Sequence, residues 1–159
     1  MSTPNEKRRE KIEQLLREVR LMSSFDALFS QAVAECVGMH STDIETMDLL
    51  NTLGPMTPGE LSRRTGLTSG ATTRLIDRLE RVGYVRRRPD EVDRRCVIIE
   101  PVDENLEQLG ALFQPLAEGM AELWSKFNDD ELEVIIKFVR QSNALTAEVN
   151  ARLRARPPA

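Results

Sequence analysis

Thr57-Pro-Gly-Glu-Leu-Ser-Arg-Arg-Thr-Gly66-Leu-Thr-Ser-Gly70-Ala-Thr-Thr-Arg-Leu-Ile-Asp-Arg-Leu-Glu-Arg-Val-Gly-Tyr-Val85 decides how this chain folds. Thr57 is a good helix N-cap, Pro58 suits the first helical position, and Glu60 stands three residues after the cap, so both partners of a capping box are present. Gly66 can take the left-handed conformation that ends a helix after about two turns, and Thr68 or Ser69 caps the next helix almost at once. The spacing predicts a helix-turn-helix. In its second helix Thr72, Leu75, Ile76, Leu79 and Val82 recur at helical spacing and can bury one face. Ser69, Gly70, Thr73, Arg74, Asp77 and Arg78 point away from it.

An outward face that is small and polar at its N-terminal half can enter a DNA major groove. Gly70 and Ala71 permit close approach, Ser69 and Thr73 carry hydroxyls, and Arg74 can contact guanine through two hydrogen bonds. Thr72 is read twice, on the packed face and among the DNA contacts. The alternative for this helix is a solvated face of a small helical domain.

After Tyr84-Val85 comes an arginine-rich loop with Arg86, Arg87, Arg88, Asp93, Arg94 and Arg95, then the β-prone run Cys96-Val97-Ile98-Ile99 bounded by Pro101. This predicts a two-stranded wing with a basic tip. From Leu61 through Arg95 there are ten arginines and five acids, whereas the whole chain carries a formal charge of −4. A local excess of positive charge on an acidic chain is the footprint of a polyanion-binding face. Arg63, Arg64, Arg78 and Arg86 to Arg88 are expected to anchor phosphates, which sets affinity and salt dependence but not sequence.

These residues resemble the MarR family of winged helix-turn-helix regulators: the capped helix, the Gly66-Leu67 turn, Thr68-Ser-Gly-Ala-Thr-Thr-Arg-Leu-Ile-Asp-Arg-Leu-Glu80, Gly83-Tyr-Val and the wing pair Asp93-x-Arg95. The likeness extends back through His40-Ser-Thr-Asp-Ile-Glu-Thr-Met-Asp-Leu-Leu50, and the helical flanks suit the family's dimerisation region. It departs after the wing, where Glu100-Pro-Val-Asp-Glu-Asn105 replaces a more usual Leu-Thr-x-x-Gly run. The resemblance implies a homodimer on a pseudo-palindromic operator, commonly a repressor released by a small molecule or by oxidation. It also implies that Arg95 sits in the minor groove with Asp93 orienting it.

The flanks support that division. Ile12, Leu15, Val19, Met22, Phe25, Phe29, Val33 and Cys36 form one stripe, predicting a helix from about Asn5 to Val37. Such a helix is longer than a compact monomer of this size needs, so part of its stripe is expected against a second subunit. Thr42 with Glu45 predicts a capping box opening a support helix that Gly54-Pro55 ends. Asp103 is expected to cap a helix to about Phe127, bent at Pro115. Asn128 with Glu131 caps a last helix to about Leu153. The closing Arg-Ala-Arg-Pro-Pro-Ala is expected to fray.

The fold expected is mainly α with a small β wing. Residues 1–38 and 103–159 form the helical dimerisation region, and 39–102 the winged helix-turn-helix domain. Met22, Phe25, Phe29 and His40 are candidates to line a pocket for a small aromatic or hydrophobic effector. Cys96, beside Arg94 and Arg95, is a candidate redox thiol. Two cysteines far apart and one histidine make no disulfide framework and no metal pattern, and no cofactor is expected. There is no glycine-rich phosphate loop or nucleophile elbow, so an enzyme is not expected. The polar N-terminus and the absence of a long apolar run predict a cytoplasmic protein. The competing function is a protein-binding winged helix whose basic face meets an acidic partner.

Overall fold

The structure is a computed structural model, describing residues 3–156. Six helices and one hairpin follow in order: α1 Pro4–Val37, α2 Ser41–Leu53, α3 Pro58–Thr65, α4 Ser69–Arg81, β1 Val85–Pro89, β2 Val97–Pro101, α5 Asp103–Trp124 and α6 Asp129–Arg154. The closing Pro157, Pro158 and Ala159 lie outside the described residues.

The core is small and central. Ile44, Met47 and Leu50 of α2, Leu61 of α3, and Leu75, Ile76 and Leu79 of α4 are buried together with Val85 and Ile99 of the hairpin. From the flanks only Val33 and Ala34 of α1 and Leu109 of α5 join this core. Gly54 and Pro55 end α2 and leave Met56 extended, so that Met56 and Ile99 exchange backbone hydrogen bonds of 3.1 and 2.9 Å. That bridge adds a third short backbone segment to the two-stranded antiparallel sheet and ties the wing to the support helix.

Helix starts follow side-chain chemistry closely. Thr57 accepts from the Glu60 N–H at 3.2 Å and Thr68 from the Ala71 N–H at 3.3 Å. Gly66 closes α3 with φ of 71°, and Asn128 and Glu131 make the reciprocal box expected of them. Four details differ. The α2 cap is His40 rather than Thr42, because Asp43, three residues on, accepts the His40 N–H at 3.2 Å. Glu60 turns away from its cap to hold Arg64. Asp103 is the first residue of α5, behind a Val102 cap. α5 stops at Trp124 because Ser125, Lys126 and Phe127 tighten into a turn that donates back to Ala121, Leu123 and Trp124. The helix continues through Pro115, whose missing N–H leaves the Ala111 carbonyl without its in-helix donor.

Outside the core, long apolar stripes stand open. No residue of α6 is buried, and Val134, Ile136, Val139, Leu145 and Val149 are all exposed. The same holds for Ile12, Leu15, Leu16, Met22, Phe25 and Leu28 of α1. Among the described residues no helix is long and apolar enough to cross a membrane.

Candidate nucleic-acid interface

α4 packs through Thr72, Leu75, Ile76 and Leu79, all under 3% exposed. This fixes Ser69, Gly70, Thr73, Arg74, Asp77 and Arg81 on the outside. Thr72 therefore belongs to the core and not to the DNA contacts: its hydroxyl donates back to the Thr68 carbonyl at 3.0 Å. Val82 is half exposed rather than packed, because α4 ends at Arg81 and Val82 is already its C-cap. Thr73 donates to the Ser69 carbonyl at 3.0 Å and keeps its acceptor lone pairs outward. A Cβ added at Gly70 would meet nothing within 4 Å. Glycine disfavours a helix, and no close internal neighbour requires it here, so the surface over Gly70 is open, as it is at Gly110 and Gly119.

The arginines divide into two groups. Arg78 donates from Nε and Nη2 to the two carboxylate oxygens of Asp43, at 2.9 and 2.5 Å. Asp43 is 1% exposed and also holds the His40 N–H, so this pair clamps α4 onto the start of α2. Arg87 bonds Asp77 at 2.6 Å and also Glu80, both on α4, and so clamps the wing to that helix. Glu100 takes Arg86 on one oxygen at 2.5 Å and Arg88 on the other. These hydrogen bonds, from Arg88 first and then Arg86, hold the Glu100 carboxyl below its ordinary pKa. Arg64 is paired with Glu60.

Arg63, Arg74, Arg81, Arg94 and Arg95 have no ion-pair partner among the described residues. Arg64, Arg78 and Arg86 to Arg88, expected to anchor phosphates, are each held by carboxylates of the same chain here. Charge along the sequence does not reveal which carboxylate partners each arginine. Glu60 to Arg64 is visible as a helical i, i+4 pair, whereas Asp43 and Glu100 lie 35 and up to 14 residues from their arginines.

Arg86 to Arg88 lie on β1 and not in a loop. The register sets Arg86 opposite Glu100, Arg87 opposite Ile99 and Arg88 opposite Ile98. Alternation then sends Arg87 toward α4, with Val85 and Ile99 in the core, and Arg86, Arg88 and Glu100 to the other face. At the tip, Asp90 accepts the N–H groups of Val92 and Asp93, and these bonds, Asp93 first, hold its carboxyl low. Asp93 accepts the Arg95 backbone N–H at 3.1 Å, fixing the backbone that carries Arg95 while its guanidinium stays exposed.

Cys96 does not have the environment of a reactive thiol. Asp93 lies beside its sulfur at 3.8 Å, and its charge, with partial desolvation and Asp90, pushes the thiol pKa up rather than down. The neighbouring Arg94 and Arg95 in sequence do not offset this.

The pocket residues expected from sequence do not converge. Met22 and Phe25 are exposed on α1, while Phe29 stands edge-on to Phe113 with ring centroids 5.4 Å apart. His40 borders a shallow hollow with Ala71, Arg74 and Arg78. A larger cleft of about 840 Å³ opens instead between α6, α2 and α3, lined by Leu49, Leu53, Leu67, Arg63, Arg64 and Arg154 among others. Arg154 reaches across it to the α3 carbonyls of Arg63 and Thr65, at 3.3 and 3.1 Å, a contact with no sequence signal. Among the described residues no His, Cys, Asp or Glu group is placed to hold a metal.

Residues 39–97 match the family model described as the MarR family. The chain is 41% identical over 135 residues to the uncharacterized HTH-type transcriptional regulator YcgE of Bacillus subtilis, covering 85% of this chain and 88% of that protein. Its fold is similar to that of a MarR family protein from Bacillus stearothermophilus, with a TM-score of 0.64 and 24% identity over 91% of this chain and 99% of the other. It is also similar to a mutant MarR from E. coli complexed with operator DNA, with a TM-score of 0.54 and 20% identity over 83% and 95% of the two chains. The helix-turn-helix, the wing and a relative matched almost end to end agree: the chain belongs to the MarR family of winged helix-turn-helix transcriptional regulators.

Proposed function

We propose that this protein is a homodimeric, sequence-specific DNA-binding regulator, acting as a repressor by occupying an inverted-repeat operator. The observation that carries it is the exposed α4 face, with open space over Gly70 and unpaired Arg74 and Arg81, beside a wing tip with unpaired Arg94 and Arg95. On this reading Ser69, Gly70, Thr73 and Arg74 read the major groove and Arg95 the minor groove. Arg63, Arg81 and Arg94 contact phosphates. Two such heads on one duplex stand one turn apart, roughly 34–36 Å. The unburied stripes of α1 and α6 support the dimer, since exposed apolar faces of that length mark an interface.

The cleft between α6 and α2/α3 suits a small amphipathic acid: leucines form part of its wall and Arg63, Arg64 and Arg154 its cationic rim. Occupying it would displace Arg154 from the α3 carbonyls and disturb the reading head. Thiol release is disfavoured by the raised pKa of Cys96.

Fluorescence anisotropy with the duplex upstream of the protein's own gene, against a scrambled duplex over a range of salt, tests the function. Tighter binding to the native duplex, with a steep salt slope, is the expected result. Fragments recovered by genome-wide selection that show no shared inverted repeat would sink it and favour an acidic protein partner for the basic face.

A further inference from the structure

The outer face of the wing carries two arginines that the protein keeps for itself. Arg86 and Arg88 are two residues apart on β1, so both project from the same side of the hairpin, and Glu100 lies directly opposite Arg86 in register. One carboxylate oxygen takes each guanidinium Nε. The Glu100 side chain is only 12% exposed, against 68% and 33% for Arg86 and Arg88. The acid is thus sheathed by its two arginines and holds them from behind. Ile98, buried and opposite Arg88 in register, shares this face, while Val85, Ile99 and Arg87 occupy the inward one.

A wing whose tip enters a minor groove brings its strands across the phosphate rails that border that groove. Long arginines on the outer strand face are then within reach of those phosphates. Sequence-independent affinity grows with each phosphate neutralised, and binding to bulk DNA consists almost wholly of that contribution. A carboxylate that occupies two such cations therefore lowers binding to every sequence by a similar factor, and leaves base contacts by Arg74 and Arg95 untouched. The neighbouring positions follow the same pattern: Arg87 is engaged by Asp77 and Glu80.

We propose that Glu100 is an affinity-tempering residue which withholds Arg86 and Arg88 from DNA phosphates and so holds down the protein's sequence-independent affinity for DNA and its salt dependence. This rests on the DNA-binding function proposed above. Removing the charge while keeping the shape, as Glu100→Gln, frees both arginines. Salt titrations of binding to a random duplex then become steeper by about 1.8, at about 0.9 for each added phosphate. Random-duplex affinity at low salt rises on the order of tenfold. The double variant Arg86→Gln/Arg88→Gln, with Glu100 intact, leaves the salt slope of the parent protein nearly unchanged. The same pair added to Glu100→Gln cancels its gain.

A merely structural Glu100 predicts the opposite sign. Its loss would loosen the wing and weaken all duplexes, with the slope flat or shallower. Equal or weaker random-duplex binding by a Glu100→Gln protein of parental thermal midpoint overturns the proposal. If that variant instead melts early, the arginine pair decides alone: a slope that falls by about 1.8 on their removal from the parent protein shows that they already contact phosphate, and the proposal fails. Should neither parent nor variant bind any selected duplex, the DNA-binding function itself fails, and this inference with it.

Discussion

Between Arg63 and Arg95 ten identical side chains do at least three different things, and partner geometry rather than charge assigns them. Arg74 is free and exposed in the middle of the reading face, so Arg74→Ala should erode discrimination between operator and mismatched duplexes by about 1–3 kcal/mol, checked by competition binding. Arg87→Ala should leave base preference intact but loosen the wing, read as faster amide exchange from Arg86 to Arg88. Arg78 supports the fold: Asp43→Asn removes the charge that holds its guanidinium and should cost on the order of 2 kcal/mol in urea unfolding. Cys96 should alkylate more slowly at neutral pH than a cysteine in an unstructured peptide, since Asp93 raises its pKa and thins its thiolate. Glu100 contributes to the response to acid. Its folded pKa lies below the usual 4.5, so its ion pairs contribute fully above that value and are lost as pH falls through the lower folded one. The thermal midpoint should therefore hold from neutrality to about pH 5 with respect to this group and decline progressively as pH falls below the unfolded value. At this scale the sequence was informative about exposed, local chemistry such as Ser69, Gly70 and Arg74. It was silent about Arg78 with Asp43 and Arg86 with Glu100, because those meetings depend on how separate elements come together.

Elements were the most legible scale, since a helix announces itself through a cap and a period within a few residues. Thr57, Gly66, Thr68 and Asn128 each act as their local chemistry implies. The α2 start was misplaced by two residues because Thr42/Glu45 and His40/Asp43 both offer a partner at the third position. Asp43 prevails there, buried as it is against Arg78. The wing strands were harder: Arg86-Arg87-Arg88 looks like a solvated loop until its partners are known, Glu100 across the hairpin for Arg86 and Arg88, and Asp77 and Glu80 of α4 for Arg87. Two glycines separate stability from function at this scale. Gly66→Ala forces a side chain into φ of 71° and onto the Arg154 guanidinium, 1.7 Å from the added carbon, and should lower stability by about 1–2 kcal/mol. Gly70→Ala should stabilise α4 by up to about 1 kcal/mol while weakening operator binding, as measured by melting and anisotropy on one sample.

For the whole molecule, the core explains the head and leaves the arms unexplained by one chain. α6 runs 26 residues with none buried, and most of α1 is equally bare. On the homodimer proposed above a second copy covers them, so Leu145→Glu with Ile136→Glu should shift sedimentation toward monomer and abolish inverted-repeat preference while weak phosphate binding persists. Arg87, Asp77 and Glu80 have a meaning at this scale as well. Their bonds fasten the wing to α4, so on the proposed DNA-binding function the two segments meant for adjoining grooves move together. Such a head works as a caliper with its jaws locked. On the DNA-binding function proposed above, it would measure the span from a major groove to the adjoining minor groove, and should reject a duplex bearing the right bases on a helix of the wrong pitch.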